Sequence, residues 1–109
     1  KERQVYLIFR KGRVALRKRQ KKGLLAGLWE YPNEPAPWPC PVAGEAAFAA
    51  TGKHIFTHVE WHMTAYAVTA ERDSLPEGWL WAGRRDLAEV YPLPSAFAPF
   101  ARIVEEYLK

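Results

Sequence analysis

The sequence predicts an α/β (α+β) fold, a mixed β-sheet flanked by two helices in the approximate order β-β-β-α-β-β-β-α. Three patterns carry that expectation. Short runs of β-formers alternate apolar and polar residues, an alanine-rich stretch stops at Gly52, and the C-terminus repeats apolar residues at helical spacing.

The elements follow in chain order. Val5 to Phe9 and Val14 to Leu16 are two apolar runs joined at Lys11-Gly12, an antiparallel hairpin with basic outward side chains. Gly23 and Gly27 allow tight turns before Leu28 to Tyr31, a short apolar strand that ends at Pro32. Five prolines between Pro32 and Pro41 predict an irregular or polyproline-like surface loop, which carries Trp38 and Cys40. "VAGEAAFAATG", ending at Gly52, is expected as a short helix with a C-terminal glycine cap. His54 to His58 and Trp61 to Thr69 read as adjacent strands or a hairpin, with Trp61, Met63, Ala65 and Ala67 on one face. "ERDSLPEG" is a loop, "WLWA" a short strand and "RRDLAEV" a helical turn or two after Gly83. In the last helix Ser95 is the expected cap, and Phe97, Phe100, Ile103 or Val104, and Tyr107 form the stripe that packs on the sheet.

At 109 residues the chain has room for one domain and no second core, so residues 1–109 are read as a single unit. It opens Lys1-Glu2-Arg3 without an initiator methionine, signal peptide or long apolar run, and is expected to be a piece of a longer soluble protein. The single cysteine, Cys40, excludes an internal disulfide or a multi-cysteine metal site within the segment, and a reducing cytoplasmic setting fits it best. Charge is uneven. Residues 1–22 carry ten Lys/Arg against Glu2, whereas the remainder carries six basic and eleven acidic groups. Such asymmetry points to a polyanion at the N-terminal part, the alternative being a solvated lysine-rich hairpin.

Chemistry is scarce outside one stretch. His54, His58 and His62 would share a helix face as metal ligands do, but Ile55, Val59 and their β-forming neighbours oppose a helix. On one continuous strand they would spread over about 26 Å, so only a tight turn could gather them. No G-x-S-x-G elbow or phosphate-cradling glycine loop is present, and Cys40 among prolines is more readily a structural thiol than a nucleophile.

"KGLLAGLWEYP" at Lys22 to Pro32, "HIFTHVEWHM" at His54 to Met63 and "YPLPSAF" at Tyr91 to Phe97 together resemble the C-terminal domain of MutY-type adenine DNA glycosylases. The three stretches fall in that family's order and spacing and cover nearly the whole chain. The resemblance implies a Nudix-like fold appended to a helical glycosylase domain that holds the catalytic carboxylates and an iron–sulfur cluster. This domain would then hold no catalytic residue, no metal and no cofactor of its own. Its partners would be double-stranded DNA with 8-oxoguanine opposite adenine and the N-terminal catalytic domain of the same chain, with no membrane, in a bacterial cytoplasm at the nucleoid. By position, the family's Phe-Ser/Thr-His reading loop falls on Phe56, Thr57 and His58, and His54 and His62 become supports in the flanking strands. Oxidation turns guanine N7 into a donor and adds an oxygen at C8, so a hydroxyl that both accepts and donates, as on Thr57, can tell the bases apart. Phe56 offers a face to stack or wedge, or else packs in the core; His58 can donate to a base edge or a phosphate. Arg10, Lys11, Arg13, Arg17, Lys18, Arg19, Lys21 and Lys22 are the candidate contacts to the DNA backbone.

Two other classes compete. Gly-Leu-Trp-Glu also occurs in Nudix hydrolases of oxidised nucleotides, which hold Mg²⁺ with a glutamate-rich helix after that strand. The equivalent helix here would offer only Glu45, read as a first-turn helix charge, so pyrophosphate hydrolysis is disfavoured. A protein-interaction module would rest on the Trp38 loop.

Overall fold

A computed structural model describes all residues except 22, 36–38, 41 and 43. β1 (Glu2–Arg10) and β2 (Arg13–Lys18) form the anticipated hairpin. Lys11 and Gly12 have φ of 49° and 73°, the positive values of a type I′ turn, whose twist matches that of the flanking strands. β3 (Trp29–Glu30) pairs with β2. β4 (Asn33–Glu34) pairs with β1, and the Pro32 carbonyl accepts the Tyr6 N–H, so the proline-rich stretch begins as sheet rather than free loop. Trp38 and Lys22 lie outside the described residues.

Beyond the proline-rich stretch come β5 (Gly44–Ile55), β6 (Glu60–Ala70), β7 (Trp79–Gly83), α1 (Arg84–Glu89), a 3₁₀ helix (Ser95–Phe100) and α2 (Ala101–Tyr107). The strands make one seven-stranded sheet in the order β3-β2-β1-β6-β5, with β4 added to β1 and β7 to β2. β1 and β6 run parallel and the other pairs antiparallel, which makes the sheet mixed and the fold a mixed α+β one.

The alanine-rich segment corrects the expected order. Residues 44–55 are not a helix but the twelve-residue strand β5, paired with β6 from Gly44↔Ala70 to Ile55↔Glu60. Alanine favours helix by a fraction of a kcal/mol per residue, a weak preference beside a full ladder along an otherwise open edge of β6. Gly52 is accordingly no helix cap. It lies inside β5 where a Cβ would come within 2.9 Å of Pro99, so its missing side chain lets the 3₁₀ helix close onto the sheet.

Strand alternation sorts the core into two faces. Val5, Leu7 and Phe9 of β1 with Trp61, Met63, Ala65 and Ala67 of β6 point toward Phe97, Phe100, Val104 and Leu108. Ile8, Val68 and Ala70 point the other way, against Val42, with Trp79, Trp81 and Cys40 at the margin. The C-terminal stripe therefore forms as expected with two changes. Ser95 does not cap, since the cap position falls on Pro94 with no side-chain bond. Tyr107 is half exposed and stacks flat on Phe9 at 4.2 Å, while Leu108 takes the buried position. Cys40 is half-buried, and burial pushes its thiol up, away from a reactive thiolate.

Candidate nucleic-acid interface

The end of the β5–β6 hairpin brings together the residues singled out by sequence. The chain reverses across residues 56–59, closed by the Phe56 N–H donating to the Val59 carbonyl at 2.6 Å. Thr57 and His58 stand at the tip, both exposed. Phe56 is not a free wedge. It is half-buried, its ring edge-on to His54 at 4.7 Å and to Trp61 at 5.0 Å. That contact anchors the turn to the core, because Trp61 is 2% exposed and rests on Phe97.

The three histidines do not converge. His54 pairs with Trp61 and shares its face, whereas His62, one residue along β6, points to the opposite face. There its Nε2 lies 3.5 Å from Glu60, which Lys53 also approaches at 3.4 Å. The Lys53 hydrogen bond, with His62 beside it, holds the Glu60 carboxyl below the usual glutamate range. Among the described residues no three His, Cys, Asp or Glu side chains group as metal ligands.

The basic hairpin divides into inward and outward cations. Arg17 donates to Glu30, Glu34 and the Asn33 carbonyl, and Arg19 to Glu30 and the Leu24 carbonyl. Glu30 is 1% exposed and also accepts from Asn33 Nδ2, so its carboxylate is surrounded by three donors. Arg10 binds Asp73 and the Ala70 carbonyl. Arg13 lies 5.9 Å from the Trp81 ring, and Lys18 lies 5.9 Å from Trp29. Lys11, 64% exposed, Lys18 and Lys21 face solvent.

Two residues central to the site were absent from the sequence-based set. Trp61 carries the guanidinium of Arg3 at 4.4 Å and that of Arg19 at 5.4 Å over its ring, which joins the hairpin cations to the Phe56 turn. Glu30 was legible only as a carboxylate inside an apolar run next to many arginines. Local spacing holds no sign of the Arg3–Trp61 contact, which links two parallel strands.

The Mg²⁺ of Nudix hydrolases needs several carboxylates gathered on one helix. That segment is strand β5 here, and Glu45 stands on it exposed, opposite Thr69, rather than in a helix first turn. Glu30 and Glu34 are engaged by arginines. Among the described residues no carboxylate cluster fits the ion.

No curated protein sequence matches the chain. Among solved structures it is similar to the C-terminal domain of mouse MUTYH, solved in complex with human PCNA, at 19% identity and a TM-score of 0.73 over 96% of this chain and 87% of that one. It is also similar to a MutT Nudix hydrolase from Burkholderia pseudomallei, at 23% identity and a TM-score of 0.69 over 99% and 97% of the two chains. A MutT protein from Methanosarcina mazei Go1 superposes with a TM-score of 0.74 at 16% identity, over 96% and 92%. At these identities the likeness concerns the fold. The family model described as the NUDIX domain matches residues 4–102, and the chain belongs to that family.

Proposed function

We propose that this chain is the lesion-recognition domain of a MutY-type adenine DNA glycosylase, acting in base excision repair on 8-oxoguanine opposite adenine. The observation that carries the reading is the turn at residues 56–59: Thr57 and His58 are solvent-facing, Phe56 is pinned on Trp61, and two guanidiniums lie over that indole. A hydroxyl on an anchored turn can meet the N7–H or O8 of the oxidised base without ordering a flexible segment first. Lys11, Arg13, Lys18 and Lys21 would hold the backbone phosphates. The glycosidic bond would be cut by a separate catalytic domain of the parent chain, with its iron–sulfur cluster, and this domain would tune specificity. Further support comes from the three ordered sequence stretches and from the conversion of the metal-bearing segment into strand β5.

Titration of labelled duplexes bearing 8-oxoguanine or guanine opposite adenine, with this chain and with its parent, tests the proposal. Tighter binding of the oxidised duplex is expected. Equal binding of the two, or Mg²⁺-dependent release of pyrophosphate from oxidised nucleotides, would overturn it in favour of a MutT-like hydrolase.

A second reading, a protein-docking module, draws on β5: an edge strand with Phe48 and Ile55 each 65% exposed. The mouse domain solved with PCNA lends it weight. If that surface serves docking, Phe48→Ser leaves the duplex titration unchanged and lowers capture by the parent chain's partners.

A further inference from the structure

Between β2, β3, β4 and the start of β1 lies a polar cleft of about 420 Å³, lined by Arg3, Arg17, Lys18 and Arg19 against Glu30 and Glu34. Its charges do not cancel, and the hydrogen bonds show where the surplus resides. Glu30 is filled by Arg17, Arg19 and Asn33, and Glu34 takes Arg17. Arg3 by contrast donates its hydrogen bonds to the two oxygens of Asn33, its side-chain Oδ1 and its carbonyl, and no carboxylate lies within ion-pair distance of it among the described residues. Burial first, and then the neighbouring Arg19, pull the Arg3 guanidinium below its ordinary range, an effect that the carboxylates of Glu30 and Glu34 offset only in part. A half-buried cation held by neutral acceptors beside like charges gains from an anion, and guanidinium geometry suits the two oxygens of a phosphodiester.

The position of the cleft selects the anion. Arg3 and Arg19 both lie over Trp61, whose ring is 5.0 Å from Phe56, so an anion at Arg3 sits beside the turn that presents Thr57 and His58. We infer that this cleft is a phosphate site in which Arg3, assisted by the exposed Lys18, grips one phosphodiester of the lesion-bearing strand beside the turn that meets the base. Trp61 acts as the spacer between phosphate and base contacts. This deepens the proposed function and rests on it, and it adds to the hairpin cations a phosphate contact from the other end of β1.

The experiment measures duplex binding by the whole chain across a salt series. Arg3→Gln should make the slope of log affinity against log salt shallower by about 0.9, one phosphate's worth, while keeping the preference for 8-oxoguanine over guanine. Arg3→Lys, which keeps the charge, should restore the slope. Thr57→Val should do the reverse of Arg3→Gln, losing preference at unchanged slope. If the wild-type chain binds duplex but Arg3→Gln leaves the slope as it was, the phosphate site is refuted and the lesion reading stands; a chain that binds no duplex at any salt refutes both. Should Arg3→Gln fail to fold, as its circular dichroism would reveal, wild-type protein is titrated with duplexes carrying single methylphosphonates near the lesion. One position is then expected to weaken binding as the charge loss would, and an even response along the strand rejects the site. Binding of free 8-oxo-dGTP that depends on Arg3, with duplex binding indifferent to it, would assign the phosphate to a nucleotide and overturn the inference.

Discussion

Thr57 and Glu30 mark opposite extremes of what a single side chain can do here. Thr57 is exposed at a turn, so Thr57→Val should leave thermal stability within about 0.5 kcal/mol. On the proposed function it should narrow the preference for 8-oxoguanine by roughly 1–3 kcal/mol, read as the ratio of affinities for the two duplexes. Loss of affinity for both duplexes alike would instead make it a folding residue. Glu30, buried against Arg17, Arg19 and Asn33, should behave in the opposite way. Glu30→Gln leaves two guanidiniums facing a neutral amide and should cost about 3 kcal/mol or more in denaturant unfolding, whereas an unchanged midpoint would show the network to be dispensable. Thr57 was singled out by the resemblance carried by "HIFTHVEWHM", because local pattern alone placed it within a strand run from His54 to His58. Glu30 was not, because its charged partners, Arg17 and Arg19, come from β2 and the residue after it, thirteen and eleven positions away, and no local spacing encodes them.

The second β-hairpin depends on what its strands lack as much as on what they carry. At Gly52 a Cβ would meet Pro99 at 2.9 Å and Phe100 at 3.2 Å, so Gly52→Val should push the 3₁₀ helix off β5 and cost about 1–3 kcal/mol, measured by thermal melting. A neutral result would mean that the 3₁₀ helix does not rest on the strand. The loop before β7 offers a pH test. Asp73 accepts from Arg10, and its backbone carbonyl accepts the Trp81 indole N–H. The Arg10 hydrogen bond, aided by the charges of Lys11 and Arg13, holds the Asp73 carboxyl below its model-peptide value of 3.8. Because the folded value is the lower one, the contact contributes above 3.8 and is lost as pH falls through the folded value. The Trp81 indole proton resonance should therefore shift in acid and cease to do so in Asp73→Asn; a wild-type signal indifferent to acid would unlink Asp73 from the loop. At this scale the helix expected over residues 42–52 was the clear miss, since strand β5 begins at Gly44. Alanine content reports an intrinsic preference, whereas β5 exists because β6 needed a partner along its outer edge.

Across the whole molecule the basic N-terminal stretch spends its charge in two ways. Arg17 and Arg19 neutralise Glu30 internally, whereas Lys18 and Lys21 face solvent, Lys11 lies 3.8 Å from the exposed Asp73 and Arg13 lies beside Trp81; on the proposed function these four meet an external polyanion. With roughly four phosphates neutralised, log affinity for duplex DNA should fall with log salt at a slope near −3 to −4 in a fluorescence titration. A flat response would remove DNA as the polyanion. Sequence alone was enough for the runs that form β1, β2, β6 and β7, for the Lys11-Gly12 turn, for the alternation along β6 and for the charge asymmetry, because each is written in residues a few positions apart. Only folding in three dimensions showed that residues 44–55 are strand, that Phe56 is an anchor, and that Arg3 and Arg19 lie over Trp61 beside the turn. Those outcomes turn on edge pairing, ion pairs and ring contacts between segments far apart in the chain, whose free energies exceed the local preferences that spacing can reveal.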